Sequence, residues 1–193
     1  MILIIDHFDS FVHTLARYVA EAGYEVEVVR QNMDQVEDVL ALKPDAVIFS
    51  PGPGRPETTG ISRAVLEAVT GKIPVLGVCL GHQLIVSFFG GQIERSDPVH
   101  GSASAVTHND DRLFAGIASP FAAGRYHSLA AYDLPDCLEE IAWGPDKINM
   151  AVRHKAHEIY GVQFHPESVL TPNGRDIIGN FLHSIPKRTQ TGT

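Results

Sequence analysis

Four short strand-like segments in the first 80 residues, each followed by a helical pattern, constrain this chain most. Residues 2–5 are consecutive apolar side chains, which suits a strand buried on both faces of a sheet. Val12, Leu15, Ala16 and Val19 then recur at helical spacing, with Gly23 as a stop. Residues 26–29 read as a second strand, and Val36, Val39 and Leu40 as a second helix that Pro44 ends. A third strand at residues 46–49 precedes a helix carried by Ile61, Ala64, Val65 and Ala68. A fourth strand at residues 74–78 runs into a helix at residues 80–89, closed by Gly90 and Gly91. This alternation predicts an α/β fold with an open, mostly parallel central sheet flanked by helices.

The second half reads as strands at residues 103–107, 138–143, 149–153 and 159–164, then a helix at 176–183. These predict antiparallel strands added to the sheet. One domain is expected over residues 1–186, with a polar tail at 187–193 that frays. Fifteen Lys and Arg against 23 Asp and Glu give a formal charge of −8, which disfavours nucleic acid and anionic membranes as partners. No apolar run approaches the ~20 residues that cross a bilayer, and the N-terminus lacks the basic start of a signal peptide. Two cysteines, Cys79 and Cys137, make no disulfide framework, so a cytoplasmic protein is expected.

Cys79 lies in Gly77-Val78-Cys79-Leu80-Gly81, between a predicted strand and a predicted helix. That is the setting of a nucleophile elbow, where the chain turns too sharply for side chains two residues either side. A helix N-terminus favours a thiolate there, and the Leu80 N–H points towards the space where an oxyanion would form. The bland alternative is a small buried core residue. Cys137 has no such setting and reads as core or strand edge.

A thiolate that attacks a carbonyl needs an imidazole to protonate the leaving group. Of ten histidines, His165 is set apart by Gly161-Val162-Gln163-Phe164-His165-Pro166-Glu167-Ser168. It follows a strand, so it emerges at the same sheet edge as Cys79, and Glu167 can reach back to its second ring nitrogen. A solvated loop pair is the competing reading of His-x-Glu alone. A metal site is disfavoured, because neither C-x-x-C nor H-E-x-x-H is present. His7, His13, His100, His108, His154, His157 and His183 read as surface or structural residues, and His82 as turned away from Cys79 on its helix. In Ser50-Pro51-Gly52-Pro53-Gly54-Arg55-Pro56, two glycines bare the backbone of a stiff loop, suiting an oxyanion or substrate role.

Together these segments resemble the class I, or triad, glutamine amidotransferases, and among them the glutaminase subunits of chorismate-using synthases (anthranilate and 4-amino-4-deoxychorismate synthase). Gly77-Val78-Cys79-Leu80-Gly81-His82-Gln83 is similar to the family's nucleophile motif, and residues 161–168 to its His/Glu motif. Asp9-Ser10-Phe11, Ser50-Pro51-Gly52-Pro53-Gly54, Arg125-Tyr126-His127-Ser128-Leu129, Arg153-His154-Lys155 and Asn180-Phe181-Leu182 extend the likeness over residues 1–185.

The resemblance implies a Cys79–His165–Glu167 triad that hydrolyses L-glutamine through a thioester. Backbone N–H groups of Leu80 and Gly52 would form the oxyanion hole. Gly52, Pro53, Gly54, Gln83, Ser128 and Leu129 would hold the substrate. It implies no cofactor in this chain, and a separate chorismate-binding synthase subunit, itself using Mg, that takes the ammonia in a hetero-oligomer. The chain departs from the family at His7-Phe8, where Asn-Tyr is common, at Ser102, usually lysine, and at Leu84, Val86 and Phe88, where alanines are common. A free-standing γ-glutamyl hydrolase or cysteine peptidase, and a non-catalytic regulatory subunit, are the alternatives.

Overall fold

The computed structural model describes residues 1–33 and 35–185. The tail expected at residues 187–193, and the boundary at 186, lie outside the described residues. The first half comprises β1 (Ile2–Asp6), α1 (Val12–Glu21), β2 (Val26–Arg30), α2 (Val36–Ala41), β3 (Ala46–Phe49), α3 (Ser62–Val69), β4 (Val75–Val78) and α4 (Leu80–Phe88). The second comprises β5 (Gln92–Arg95), β6 (Ser102–His108), β7 (Phe121–Arg125), β8 (Leu129–Tyr132), β9 (Leu138–Trp143), β10 (Asn149–His154), β11 (Ile159–Val162) and α5 (Gly174–His183).

Among the described residues the main sheet has nine strands, in the order β2-β1-β3-β4-β11-β10-β9-β6-β7. The first five are mutually parallel, and from β11 onward each neighbour is antiparallel. The α/β architecture with antiparallel additions is therefore as the sequence predicts.

Period-two alternation places each strand's side chains on opposite faces. Ile2, Ile4, Ile48 and Leu76 pack with Val12, Leu15 and Val19 of α1 and Ile177, Phe181 and Leu182 of α5. Leu3, Ile5, Val47 and Val75 pack with Val39 of α2, Val65 and Leu66 of α3, and Leu84 and Ile85 of α4. Both faces are covered, which is why these strands read as unbroken apolar runs. Each such buried aliphatic side chain contributes about 1.5–3 kcal/mol relative to exposure.

The structure also corrects the reading in places. β5, β7 and β8 were not expected. Among the described residues Gln92–Arg95 is mostly exposed and pairs only with β8, while Phe121–Arg125 carries two alanines and a glycine of low strand propensity. The last strand stops at Val162 rather than continuing to Phe164: the Gln163 N–H still donates to the Met150 carbonyl of β10 at 2.9 Å, but His165 then forms an isolated bridge with Gly124 instead.

Candidate active site

β1, β3, β4 and β11 are neighbours and parallel, so the segments leaving their carboxyl ends converge. His7 follows β1, Ser50 to Gly54 follow β3, Cys79 follows β4, and Gln163 to Glu167 follow β11. Open α/β sheets bind ligands at this edge.

Cys79 has φ 52° and ψ −99°, a conformation costing about 1–3 kcal/mol for a residue with a side chain. Its N–H donates to the Val162 carbonyl at 2.8 Å, and the Cys79 carbonyl accepts from the Gln83 N–H at 3.1 Å. A Cβ on Gly81 would sit 2.3 Å from the Phe49 carbonyl oxygen, so the elbow closes only on glycine.

His165 is held on every side. Its N–H donates to the Gly124 carbonyl at 2.9 Å, and its carbonyl accepts from Thr171 Oγ1 at 2.6 Å. Nδ1 lies 2.6 Å from Glu167 Oε1, with both side chains buried. The ring is edge-on to Phe11 at 5.6 Å and to Tyr126 at 4.8 Å. Among the described residues Nε2 has no hydrogen-bond partner. Burial by itself would lower the His165 pKa, but the neighbouring Cys79 sulfur and the Glu167 carboxylate outweigh it and raise the pKa to about 10. His165 is therefore an imidazolium beside Cys79 at neutral pH.

The other histidines near the site go the opposite way. Burial pushes His82 down to about 3, and burial together with the Arg125 charge pushes His127 down to about 4. Burial also lowers His7. One charged imidazole among neutral ones is an arrangement that assigns acid–base roles by environment.

Beside Cys79 opens a cleft lined by Gly52, Pro53 and Gly54 on one side and by Leu80 and Gln83 of α4 on another. Ser128 and Leu129 close it, so every residue expected to hold substrate lines the same space. Among the described residues no backbone or side-chain acceptor takes the N–H of Gly52 or Leu80. Two donors without an acceptor, on residues that line the nucleophile's cleft, suit a developing oxyanion. Tyr126 and His127, given no role from sequence, also line the cleft, and Tyr126 Oη lies 3.0 Å from Ser168 Oγ.

The family model for class-I glutamine amidotransferases matches residues 3–185. The chain belongs to this family. It is 47% identical over 191 residues to anthranilate synthase component 2 of Pseudomonas aeruginosa, covering 94% of each chain. It is 44% identical over 186 residues to aminodeoxychorismate synthase component 2 of Escherichia coli, covering 95% of this chain and all of the relative. A solved protein from Thermoplasma acidophilum, provisionally assigned to GMP synthase, superposes with a TM-score of 0.85 at 24% identity, covering 94% and 92% of the two chains.

The positions where this amidotransferase departs from the family pattern have distinct places in the fold. The His7 N–H donates to Ser50 Oγ at 2.9 Å, and its Nδ1 donates to the Ser50 carbonyl at 2.7 Å, leaving Nε2 to accept from Ser62 Oγ at 2.8 Å. A Cβ on Gly52 would sit 2.4 Å from His7 Cβ, so the loop is seated directly on this histidine. Leu84 and Val86 are core, Phe88 is partly buried edge-on to Phe89 at 4.9 Å, and Ser102 is exposed at the start of β6. Cys137 is partly buried against Val86, Leu138 and Val152, beside the start of β9.

Proposed function

We propose that this amidotransferase is the glutaminase subunit of a chorismate-using synthase, hydrolysing L-glutamine with Cys79, His165 and Glu167 and handing the ammonia to its partner. The observation that carries this reading is the geometry of the site: Cys79 opens into the cleft, and buried His165 beside it is held by Glu167 at 2.6 Å. The Cys79 thiolate attacks the side-chain amide carbon of glutamine, forming a C–S bond and an oxyanion that the N–H groups of Gly52 and Leu80 stabilise. As the C–N bond breaks, His165 Nε2 gives its proton to the departing nitrogen, releasing ammonia and leaving a glutamyl thioester. Water then attacks the thioester carbon and passes a proton to His165. The C–S bond breaks, returning thiolate, imidazolium and glutamate. Glu167 orients His165 throughout and stabilises its charge. Gly52, Pro53, Gly54, Gln83, Ser128 and Leu129 hold the two charged ends of the substrate.

Both relatives are named as component 2 of a synthase, which supports a hetero-oligomer with a chorismate-binding subunit. The reading includes no cofactor in this chain and Mg on the synthase side. It places the complex in the cytoplasm, supported by two free cysteines and by the absence, among the described residues, of any helix long and apolar enough to cross a membrane.

The decisive experiment is Cys79→Ala in the assembled complex. Glutamine-dependent synthesis is expected to vanish while synthesis from ammonium salt persists. Loss of both activities would contradict the division of labour, and rapid cleavage of γ-glutamyl peptides by the isolated chain would favour a hydrolase. The product, anthranilate or 4-amino-4-deoxychorismate, identifies the pathway.

A further inference from the structure

Gln163 is fully buried, and its side chain lies between the sulfur and the wall of the substrate cleft. Its Nε2 is 3.6 Å from Cys79 Sγ. Its Oε1 is 3.1 Å from Gln83 Nε2, which is itself 3.2 Å from the Leu129 carbonyl oxygen. These contacts fix the orientation of both amides. A backbone carbonyl only accepts, so Gln83 must present its NH2 group to Leu129. The same NH2 group faces Gln163, which must answer with its oxygen. The Gln163 NH2 group is thereby left facing the sulfur.

The other end of the path is equally constrained. Arginine only donates, so the contact between Arg125 Nε and His127 Nε2 at 3.1 Å requires His127 to accept there. Neutral His127 must then carry its proton on Nδ1, which donates to the Leu129 carbonyl at 2.9 Å. Arg125, 3% exposed, is anchored by Asp146 at 2.9 Å. One hydrogen-bonded path therefore runs from Asp146 through Arg125, His127, the Leu129 carbonyl, Gln83 and Gln163 to Cys79.

We propose that Gln163 is a further catalytic residue, whose amide N–H holds the Cys79 thiolate and is kept turned to it by this path. The proposal rests on the reading of Cys79 as nucleophile. Gln83, His127, Arg125 and Asp146 are then positioning residues. A donor on sulfur favours the thiolate before attack and again when sulfur leaves the thioester, and it contacts the reacting atom in both steps. The charged or titratable groups around Cys79 are His165, with Glu167 behind it, from the segment after β11, and Tyr126 and His127, which line the same cleft, from the segment before β8; His82 on α4 lies against Gly161 instead. Arg125 and Asp146 stand behind His127. The Gln163 amide therefore acts on Sγ beside His165, whose own pKa is raised by both a side-chain hydrogen bond and a charge interaction with Cys79.

The test uses a Cys137→Ser background, in which Cys79 is the remaining thiol. Iodoacetamide alkylation is followed against pH for the unaltered chain, Gln163→Leu, Gln163→Glu and Gln83→Met, alongside steady-state glutaminase kinetics in the synthase complex. Gln163→Leu is expected to lower neutral-pH alkylation and kcat by about ten- to hundredfold, the effect of losing one charge-assisted hydrogen bond. KM should change less than kcat, and the acid limb of the alkylation profile should move to higher pH. Gln163→Glu keeps the shape without the donor and should move the limb the same way. Gln83→Met leaves Gln163 in place but frees its amide to turn, and should give a smaller displacement in that direction. Variants that melt like the parent yet show superimposable alkylation profiles would overturn the proposal. If Gln163→Leu does not fold, the other two variants decide it by the same criterion. Failure of the unaltered chain to label at Cys79 would instead strike the nucleophile reading itself, so the two failures are distinguishable.

Discussion

A Cβ on Gly77 would lie 2.3 Å from the carbonyl oxygen of Gly81, four residues further on. The two glycines flanking the nucleophile are thus in mutual contact, and the strained backbone of Cys79 is the turn that brings them together. Gly77→Ala or Gly81→Ala must push main chain apart where no flexible side chain can yield. Each is expected to cost roughly 1–3 kcal/mol or more and to abolish glutamine hydrolysis. Thermal melts paired with glutamate release check this. A variant with unchanged melting and activity would show that the elbow is not sterically closed.

His7 seats the loop that presents the Gly52 N–H. His7→Ala leaves the buried Ser50 carbonyl without its donor and should lower kcat/KM for glutamine by about ten- to hundredfold, mainly through kcat because an oxyanion donor acts in the transition state. His7→Asn keeps one N–H donor and should fall between. Steady-state kinetics in the complex decide it; an effect confined to KM would count against a role in setting the oxyanion site.

The raised pKa of His165 predicts an alkaline limb displaced upward. The group donates a proton to leaving ammonia, so activity requires its charged form. With an ordinary value of 6.5 raised to about 10, kcat/KM should hold through pH 6.5 and fall only as pH approaches 10. The stability that the charged ring contributes has the same sign: fully present below pH 6.5 and lost as pH rises towards 10. Glu167→Gln removes one of the two groups that raise it and should bring the limb down. A parental limb near pH 6.5 would refute this.

His82 and His127 predict the reverse behaviour in acid. Their pKa values are lowered to about 3 and about 4, so between 6.5 and those values the unfolded chain binds more protons. Their contribution to stability is present above pH 6.5 and lost as pH falls towards 4. His82→Leu should flatten the decline of melting temperature between pH 6.5 and 4; an unchanged slope would assign acid sensitivity to other groups.

Legibility in the sequence followed the range of the interactions concerned. β1, β3 and β4 were plain because double-sided burial demands apolar runs, and the Cys79 elbow because its glycines are local requirements of one turn. β5, β7 and β8 were not, since Gln92–Arg95 and the alanine-rich Phe121–Arg125 become strands through partners supplied elsewhere in the chain. Tyr126 and His127 lie inside the Arg125-Tyr126-His127-Ser128-Leu129 segment, yet nothing local indicates that one ring packs on His165 or that the other must be neutral.

By itself, then, the sequence determined the buried sheet, the elbow and the pairing of His165 with Glu167 two residues on, all set by period, turn sterics or immediate neighbours. Only the tertiary structure decided that Gln163 faces a sulfur 84 positions away and that His7 carries a loop 43 positions away. Those contacts arise from which parallel strands lie side by side, and strand order is a property of the whole sheet that local periodicity does not encode.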